Sequence, residues 1–423
     1  MFNLLCKLFP SQTPSTPVRC PVRPCFRPSI ELLKGRLQLS ASPGAFHVNT
    51  STVGDQTSPV IAASPRSDIN VVVWTDNISA NDTDIYARVY RGDRSVTNAI
   101  VVSNSPRLDY QPAVSMDAAG SFVVAWTQKT TAGDTNVFAA RFSATGARYG
   151  SPIVVANTSR NEYDPSVACA ANGDFVVSYT RAYTSNDSDV KATMFSASGL
   201  PLRELTVAAS LKNEFASSVA RSTGADARFS IGYQSGDQVH LKRYTAAGDL
   251  LPAVDPYTKV VSAAHVVGSS GAQYIVASKA PSVTMDDMGN TVVAFVGQSR
   301  YSSNIWVKTV SSTGDEKPYG GYGFALTGYS FEETRPTVAV DRRTGAFVVA
   351  FQTKVGTQSA YEVYELSAQG EVKVRSRNHL FISGYYEPSI AVDGNGAWRV
   401  VYTQRAGTND PGFGIFGASG RIS

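Results

Sequence analysis

The sequence predicts an all-β chain, a seven-bladed β-propeller of four-stranded antiparallel blades. Three observations predict it. One phrase recurs seven times along the 423 residues, its opening proline or stand-in falling at Pro59, Pro112, Pro165, Ser217, Pro281, Pro336 and Pro388. Each copy carries four strand signals parted by turn residues. The strand missing from the last copy is supplied by the N-terminal segment. Repeats of this length built from short strands stack or close into rings.

The first strand of each copy reads Pro165-Ser-Val-Ala, Pro281-Ser-Val-Thr or Pro388-Ser-Ile-Ala. Proline is tolerated at a strand's first position, where no ladder donor is missed. Small residues alternate with Val or Ile here (Ala113 and Ser115, Ser166 and Ala168, Ser218 and Ala220), as an innermost strand requires where neighbouring blades converge. The second strand is a continuous apolar run ending in an aromatic, as in Phe122 to Trp126, Phe175 to Tyr179 and Phe347 to Phe351. Such runs suit strands buried on both faces. The third strand alternates (Ile85 to Tyr90, Val137 to Phe142, Val190 to Phe195), and the fourth is short (Ile100-Val-Val, Ile153-Val-Val, Leu205-Thr-Val). Asp117-Ala-Ala-Gly120, Asp286 to Gly289 and Asp393 to Gly396 mark the first turn; Ser143-Ala-Thr-Gly146 and Ser196-Ala-Ser-Gly199 mark the third. Gly supplies positive φ there, while Asp and Ser bond their own turn backbone.

The seventh copy has three strands and then the chain stops. Residues 44–50, Gly-Ala-Phe-His-Val-Asn-Thr, match the fourth strand at Ser151 to Asn157. An N-terminal strand completing the last blade would remove two sheet edges. The predicted organisation is a leader over residues 1–40 and a propeller over 41–423. The fourth copy departs most, with Ser217 for proline, a Gly224 to Arg228 turn and an insertion within Leu250–Lys279.

Charge separates leader from body. Residues 1–36 hold six of the 38 bases and one of the 34 acids, which leaves 32 bases against 33 acids in the rest. A near-neutral body offers no basic footprint for nucleic acid, and no apolar stretch is long enough for a membrane helix. Cys6, Cys20 and Cys25 sit in the Pro- and Arg-rich leader, and Cys169 alone lies in the body.

Three resemblances follow from these residues. The Asp-x-x-Gly-x-Phe turn resembles a relaxed Asp-box of the sialidase and related propellers. Gly-x-Phe-Val-Val-x-Trp resembles a repeat of large exported bacterial proteins of unassigned function. Phe26 to Ser40, with Glu31, Arg36, Leu37 and Leu39 on pattern, resembles the LEPR-XLL-type leader of planctomycete proteins. The last two imply an exported protein, extracellular or at the cell surface, and carry no catalytic residues.

No nucleophile elbow, zinc motif or phosphate loop appears, and the four histidines (His47, His240, His265, His379) stand outside any motif. Two loop families do repeat. Before the first strand come acid–aromatic clusters: Asp109-Tyr110, Glu162-Tyr163-Asp164, Glu214-Phe215, Phe331-Glu332-Glu333 and Tyr385-Tyr386-Glu387. Between the second and third strands come Asp-rich loops with Asp82, Asp84, Asp134, Asp187 and Asp189. In a propeller both families share one rim. Aromatic faces stack on sugar rings, and oxygen-rich loops can hold Ca²⁺, the one cofactor these loops suggest. The same residues also serve as turn formers and core caps. The expectation is a monomeric, non-catalytic module that binds a glycan or a protein through this rim. Two alternatives stay open. One is a carbohydrate-active enzyme, sialidase- or glycosidase-like, with carboxylates at the channel mouth and arginines such as Arg181, Arg300, Arg335 and Arg405. The other is a purely structural envelope or adhesion module.

Overall fold

A computed structural model describes residues 46–49, 54–252, 277–298, 302–315, 324–327, 331–356, 358–382, 387–405 and 413–422. The leader and most of the insertion after Leu250 lie outside them. The second copy shows how the phrase folds. Asp109–Met116, Phe122–Lys129, Thr135–Phe142 and Ile153–Ala156 make one antiparallel meander with strand order as in the sequence. At its first turn the Asp117 carboxylate accepts from the backbone N–H of Ala119 and of Ser121, both at 2.9 Å. Gly120 takes φ +87°, which a side chain there would strain. At its third turn the Ser143 hydroxyl accepts from the Ala147 N–H at 3.1 Å. Asp286 and Asp393 repeat the first device, and Ser196, Thr245, Ser311 and Ser367 the second.

The described strands form six sheets. Five are antiparallel blades of three to five strands, set in a propeller arrangement. The sixth runs from Ala277–Met285 to Val372–Ile382 and is joined at its middle by a single parallel pairing, Ser303 with Glu332. The fourth copy contributes three strands, Glu214–Arg221, Phe229–Ser235 and Gln238–Tyr244. Phe46–His47 pairs antiparallel with Phe413–Arg421, and Val48 N–H donates to the Ile415 carbonyl at 2.9 Å.

The core lies between copies. Val71, Val73 and Ile85 of the first copy pack with Phe122, Trp126 and Phe142 of the second. Phe175 and Tyr179 of the third meet Val123 and Ala125 of the second. Val401 and Ile415 of the seventh meet Ile61, Val72 and Trp74 of the first. Burial of this kind supplies roughly 25 cal/mol per Å² of apolar area, so each copy depends on its neighbours.

The small residues of the first strand do more than save space. The Ser115 hydroxyl accepts from the Cys169 N–H at 3.0 Å, Ser166 from Val219 at 3.1 Å, Ser218 from Val283 at 3.0 Å, Ser282 from Val338 at 3.2 Å and Ser389 from Ile61 at 3.2 Å. Every one of these bonds crosses from one copy to the next. An innermost strand has no ladder partner on its inner edge, and the serine of the preceding copy satisfies one of the N–H groups left over. Cys169 is buried within this packing, which pushes its thiol up to about 12, an inert structural cysteine.

Candidate functional site

The segment leading into each first strand is built by a buried acid. Glu162 is fully buried; its carboxylate accepts from the Thr158 N–H at 3.1 Å, from the Thr158 hydroxyl and from Arg181 Nε at 2.9 Å. Glu214 accepts from the Ser210 N–H at 3.1 Å and from the Ser235 hydroxyl at 3.2 Å. Asp109 accepts from the Ser103 hydroxyl and from Gln128 Nε2, both at 2.7 Å, and from the Ser105 hydroxyl at 3.0 Å. Glu333 accepts from the Thr327 hydroxyl at 2.9 Å. A buried carboxylate is costly unless bonded in this way. These four acids therefore shape the lead-in loops from within and do not face a ligand.

The next residue points to the other face. Tyr110, Tyr163 and Phe215 are half-buried. Burial pushes the Tyr110 and Tyr163 phenols up, with the Asp164 charge adding to the effect at Tyr163. One position further on, the backbone turns left-handed in six copies, at Ser58, Gln111, Asp164, Ala216, Ala280 and Arg335, with φ between 50° and 55°. A bulge sits there in every one of these copies and bends the first strand. Bent positions of different copies contact one another. Gln111 Oε1 accepts from the Asp164 N–H at 3.1 Å, and Glu387 accepts from the Ser58 N–H at 2.9 Å while pairing with Arg335. Asp164 lies deep with part of its surface open to water, and burial pushes its carboxyl up to about 6. Glu332 is exposed beside Lys354. Tyr385 and Tyr386 lie outside the described residues.

The Asp-rich loops do not gather into one place. Asp134 accepts from the Thr130 hydroxyl, Asp189 pairs with Lys191 at 3.0 Å, and Asp187 is half-buried. Asp84 is buried directly across the strand pair from Asp76, and burial, then the charges of Asp82, Asp109 and Asp76, push its carboxyl up to about 6. Among the described residues no three metal-ligating side chains converge. Of the four arginines, Arg181 is held by Glu162 and Glu204 and Arg335 by Glu387. Arg300 and the side chain of Arg405 lie outside the described residues.

Both loop families meet at one open cleft of about 800 Å³, between Gly133 and Asp134 of the second copy, the 159–163 and 182–188 loops of the third, and Asn213 to Phe215 of the fourth. Tyr163, Tyr183 and Phe215 supply its aromatic faces, and Asn161, Asn213 and Asp134 its polar ones. Each lead-in loop is clamped to the preceding copy's hairpin: Thr83 N–H donates to the Arg107 carbonyl at 3.1 Å, Thr135 N–H to Asn161 Oδ1 at 3.1 Å, and the Ser188 hydroxyl to the Glu214 carbonyl at 3.0 Å. The second and third of these bonds tie the walls of the cleft to one another. Sequence reasoning missed Tyr183 and Arg160, which stacks on it. The signal for the arginine was present, as a Ser/Thr-x-Arg/Lys-x-Asp/Glu phrase at Ser105 to Asp109, Thr158 to Glu162 and Ser210 to Glu214.

No family model matches the chain, and no curated protein does either. Solved structures do. A protein of unknown function from Dyadobacter fermentans is 8% identical with a TM-score of 0.50, covering 90% of this chain and 98% of its own. An ulvan lyase of a new polysaccharide lyase family, bound to -[GlcA(1-4)Rha3S]-, is 11% identical with a TM-score of 0.52, covering 86% and 94%. A Hadza microbial sialidase is 11% identical with a TM-score of 0.46, covering 78% and 66%. At such identities the likeness to the ulvan lyase speaks for the propeller fold alone.

Proposed function

We propose that this protein is an exported, monomeric, non-catalytic binding module that recognises a glycan through the cleft between its second and fourth copies. The carrying observation is a water-open cleft with three aromatic faces beside amide and carboxylate groups, the composition that stacks on sugar rings and bonds their hydroxyls. We read the scaffold as seven blades, counting the eight-stranded sheet as two, with the 46–47 strand completing the last. The single parallel link within that sheet and the packing of the seventh copy on the first support this count. The leader supports export.

A glycan array probed with the full chain, in calcium and in EDTA, tests the reading. Binding that Tyr163→Ala and Phe215→Ala each weaken about tenfold is the expected outcome, since one stacked aromatic contributes on the order of 1 kcal/mol or more. Silence in both buffers would move the function to a structural envelope or adhesion role. Loss in EDTA alone would assign Ca²⁺ to the Asp82, Asp134 and Asp187 loops.

Asp164 favours a second reading as a carbohydrate-active enzyme. A carboxyl held near 6 at the bend of the third copy's first strand is suited to general acid work. That reading requires saccharide cleavage that Asp164→Asn abolishes, with a second carboxylate at glycosidase separation.

A further inference from the structure

We infer that the cleft takes an acidic glycan, one bearing uronate carboxylates or sulfate esters, read by an arc of three cations on consecutive copies. This rests on the glycan reading of the cleft and specifies its substrate class. The cations are Arg107, Arg160 and Lys212, each two residues before the buried acid of its own lead-in loop.

Their placement follows from the loops. In each, the backbone N–H of the cation donates to the hydroxyl residue two positions earlier: Arg107 to the Ser105 carbonyl at 2.7 Å, Arg160 to the Thr158 hydroxyl at 3.2 Å, Lys212 to the Ser210 hydroxyl at 3.2 Å. Each loop is also clamped to the preceding hairpin, as described above. Three loops of related build therefore carry three cations at equivalent sequence positions in the second, third and fourth copies, with Arg160 lining the cleft. The first, fifth, sixth and seventh copies carry Gly54, Val276, Phe331 and Ser383 at that position, so the cations are confined to the second, third and fourth copies.

Arg160 is the member inside the cleft. Its guanidinium lies 4.5 Å from the centre of the Tyr183 ring, and one Nη donates to the Tyr183 carbonyl at 3.3 Å. A guanidinium has five N–H donors, so most remain for a ligand. Among the described residues no carboxylate forms an ion pair with Arg107, Arg160 or Lys212. Stacking fixes the plane of Arg160 in advance and lowers the ordering cost of binding a planar anion. Asp134 also lines the cleft, bonded to the Thr130 hydroxyl, and its charge opposes an anionic ligand. That gives the inference a test with a sign.

The experiment is titration calorimetry of the full chain with three defined oligosaccharide series: uronate-bearing, sulfate-bearing and neutral, each at low and high salt, with poly-glutamate as a peptide control. Either acidic series, or both, should bind about tenfold or more tighter than the neutral one and weaken with salt. Arg160→Gln should cost about tenfold, with Arg160→Lys recovering part of it, because a point charge replaces the planar fork. The triple variant R107Q/R160Q/K212Q should lose more, and Asp134→Asn should tighten acidic binding about twofold. Arg160 and Lys212 are exposed and Arg107 and Asp134 half-buried, so unchanged melting temperatures control for folding. Neutral oligosaccharides that bind equally well and depend on Tyr163 but not on the three cations would overturn the inference and leave the glycan cleft standing. Poly-glutamate binding with the same cation dependence, without any glycan binding, would overturn it in favour of an acidic peptide. Silence from all three glycan series would remove the glycan reading together with the inference.

Discussion

The turns that follow the first strands and the loops that lead into them make an instructive pair. Both are organised by a recurring carboxylate. At the turns Asp117, Asp286, Asp341 and Asp393 accept from their own turn N–H groups. In the lead-in loops Asp109, Glu162, Glu214 and Glu333 accept from hydroxyls upstream. In both cases the repeated acid is inside and structural. The difference is what the frame carries. The turns close within about four residues and present little else, whereas the lead-in loops hold up side chains that change from one arc to another: Arg160, Tyr163 and Phe215 in one, Phe331 and Glu332 in another. Recurrence here marks what the backbone needs, and variation within a recurrent frame marks where recognition belongs.

The comparison breaks most visibly at Glu162. Glu162→Ala leaves Arg181 without its closest carboxylate, at a site where the arginine side chain is only 17% exposed, and frees Thr158. Breaking a buried pair from one side costs about 3–5 kcal/mol, with Glu204 at 3.5 Å from Arg181 holding the loss toward the lower figure. Glu332→Ala, on an exposed acid 3.7 Å from an equally exposed lysine, should change stability by less than about 0.5 kcal/mol. Urea unfolding of the two variants checks the contrast; equal losses would mean that the buried acids carry no special load.

A smaller effect is expected at the serine links. Ser166→Ala removes the acceptor for the Val219 N–H across the junction of the third and fourth copies. A buried N–H left without a partner costs about 1–3 kcal/mol. Hydrogen exchange should show the Val219 amide losing protection ahead of amides in the second copy. Unchanged protection would place water, not serine, as the working partner.

Much of this was legible in the sequence. The repeat, the Asp–Gly turns and the apolar second strands predicted propeller blades, because backbone requirements recur in every copy and reinforce one another. The acid–aromatic pairs were legible as a rim, but not as two residues with opposite duties. That split depends on the strand's period of two, which sends Glu162 inward and Tyr163 outward. The serine links were read as a matter of size, since a bond to the next copy has no local sequence signature. The left-handed residues before each proline or its stand-in were invisible because Gln111, Asp164, Ala216 and Arg335 share no side-chain chemistry. Only the bulge unites them.

The weakest lever is pH, and it acts at Asp84. This carboxyl faces Asp76 across the strand pair, and burial and three like charges raise it to about 6 in the fold. An acid whose folded value is raised binds its proton more tightly folded than unfolded. The native state is therefore penalised wherever Asp84 must ionise. The penalty is absent below the unfolded value of 3.8, grows as pH rises from there through about 6, and is constant above. Asp84→Asn removes it. The variant should match the parent near pH 3.5 and exceed it above pH 7, by about 1 kcal/mol once solvent screening is allowed for. Thermal unfolding across that range measures the difference. If calcium occupied the Asp82 and Asp84 loop, it would stabilise the parent at neutral pH but not the variant. A gain that persists at pH 3.5 would instead trace to the amide's hydrogen bonding and remove charge from the account.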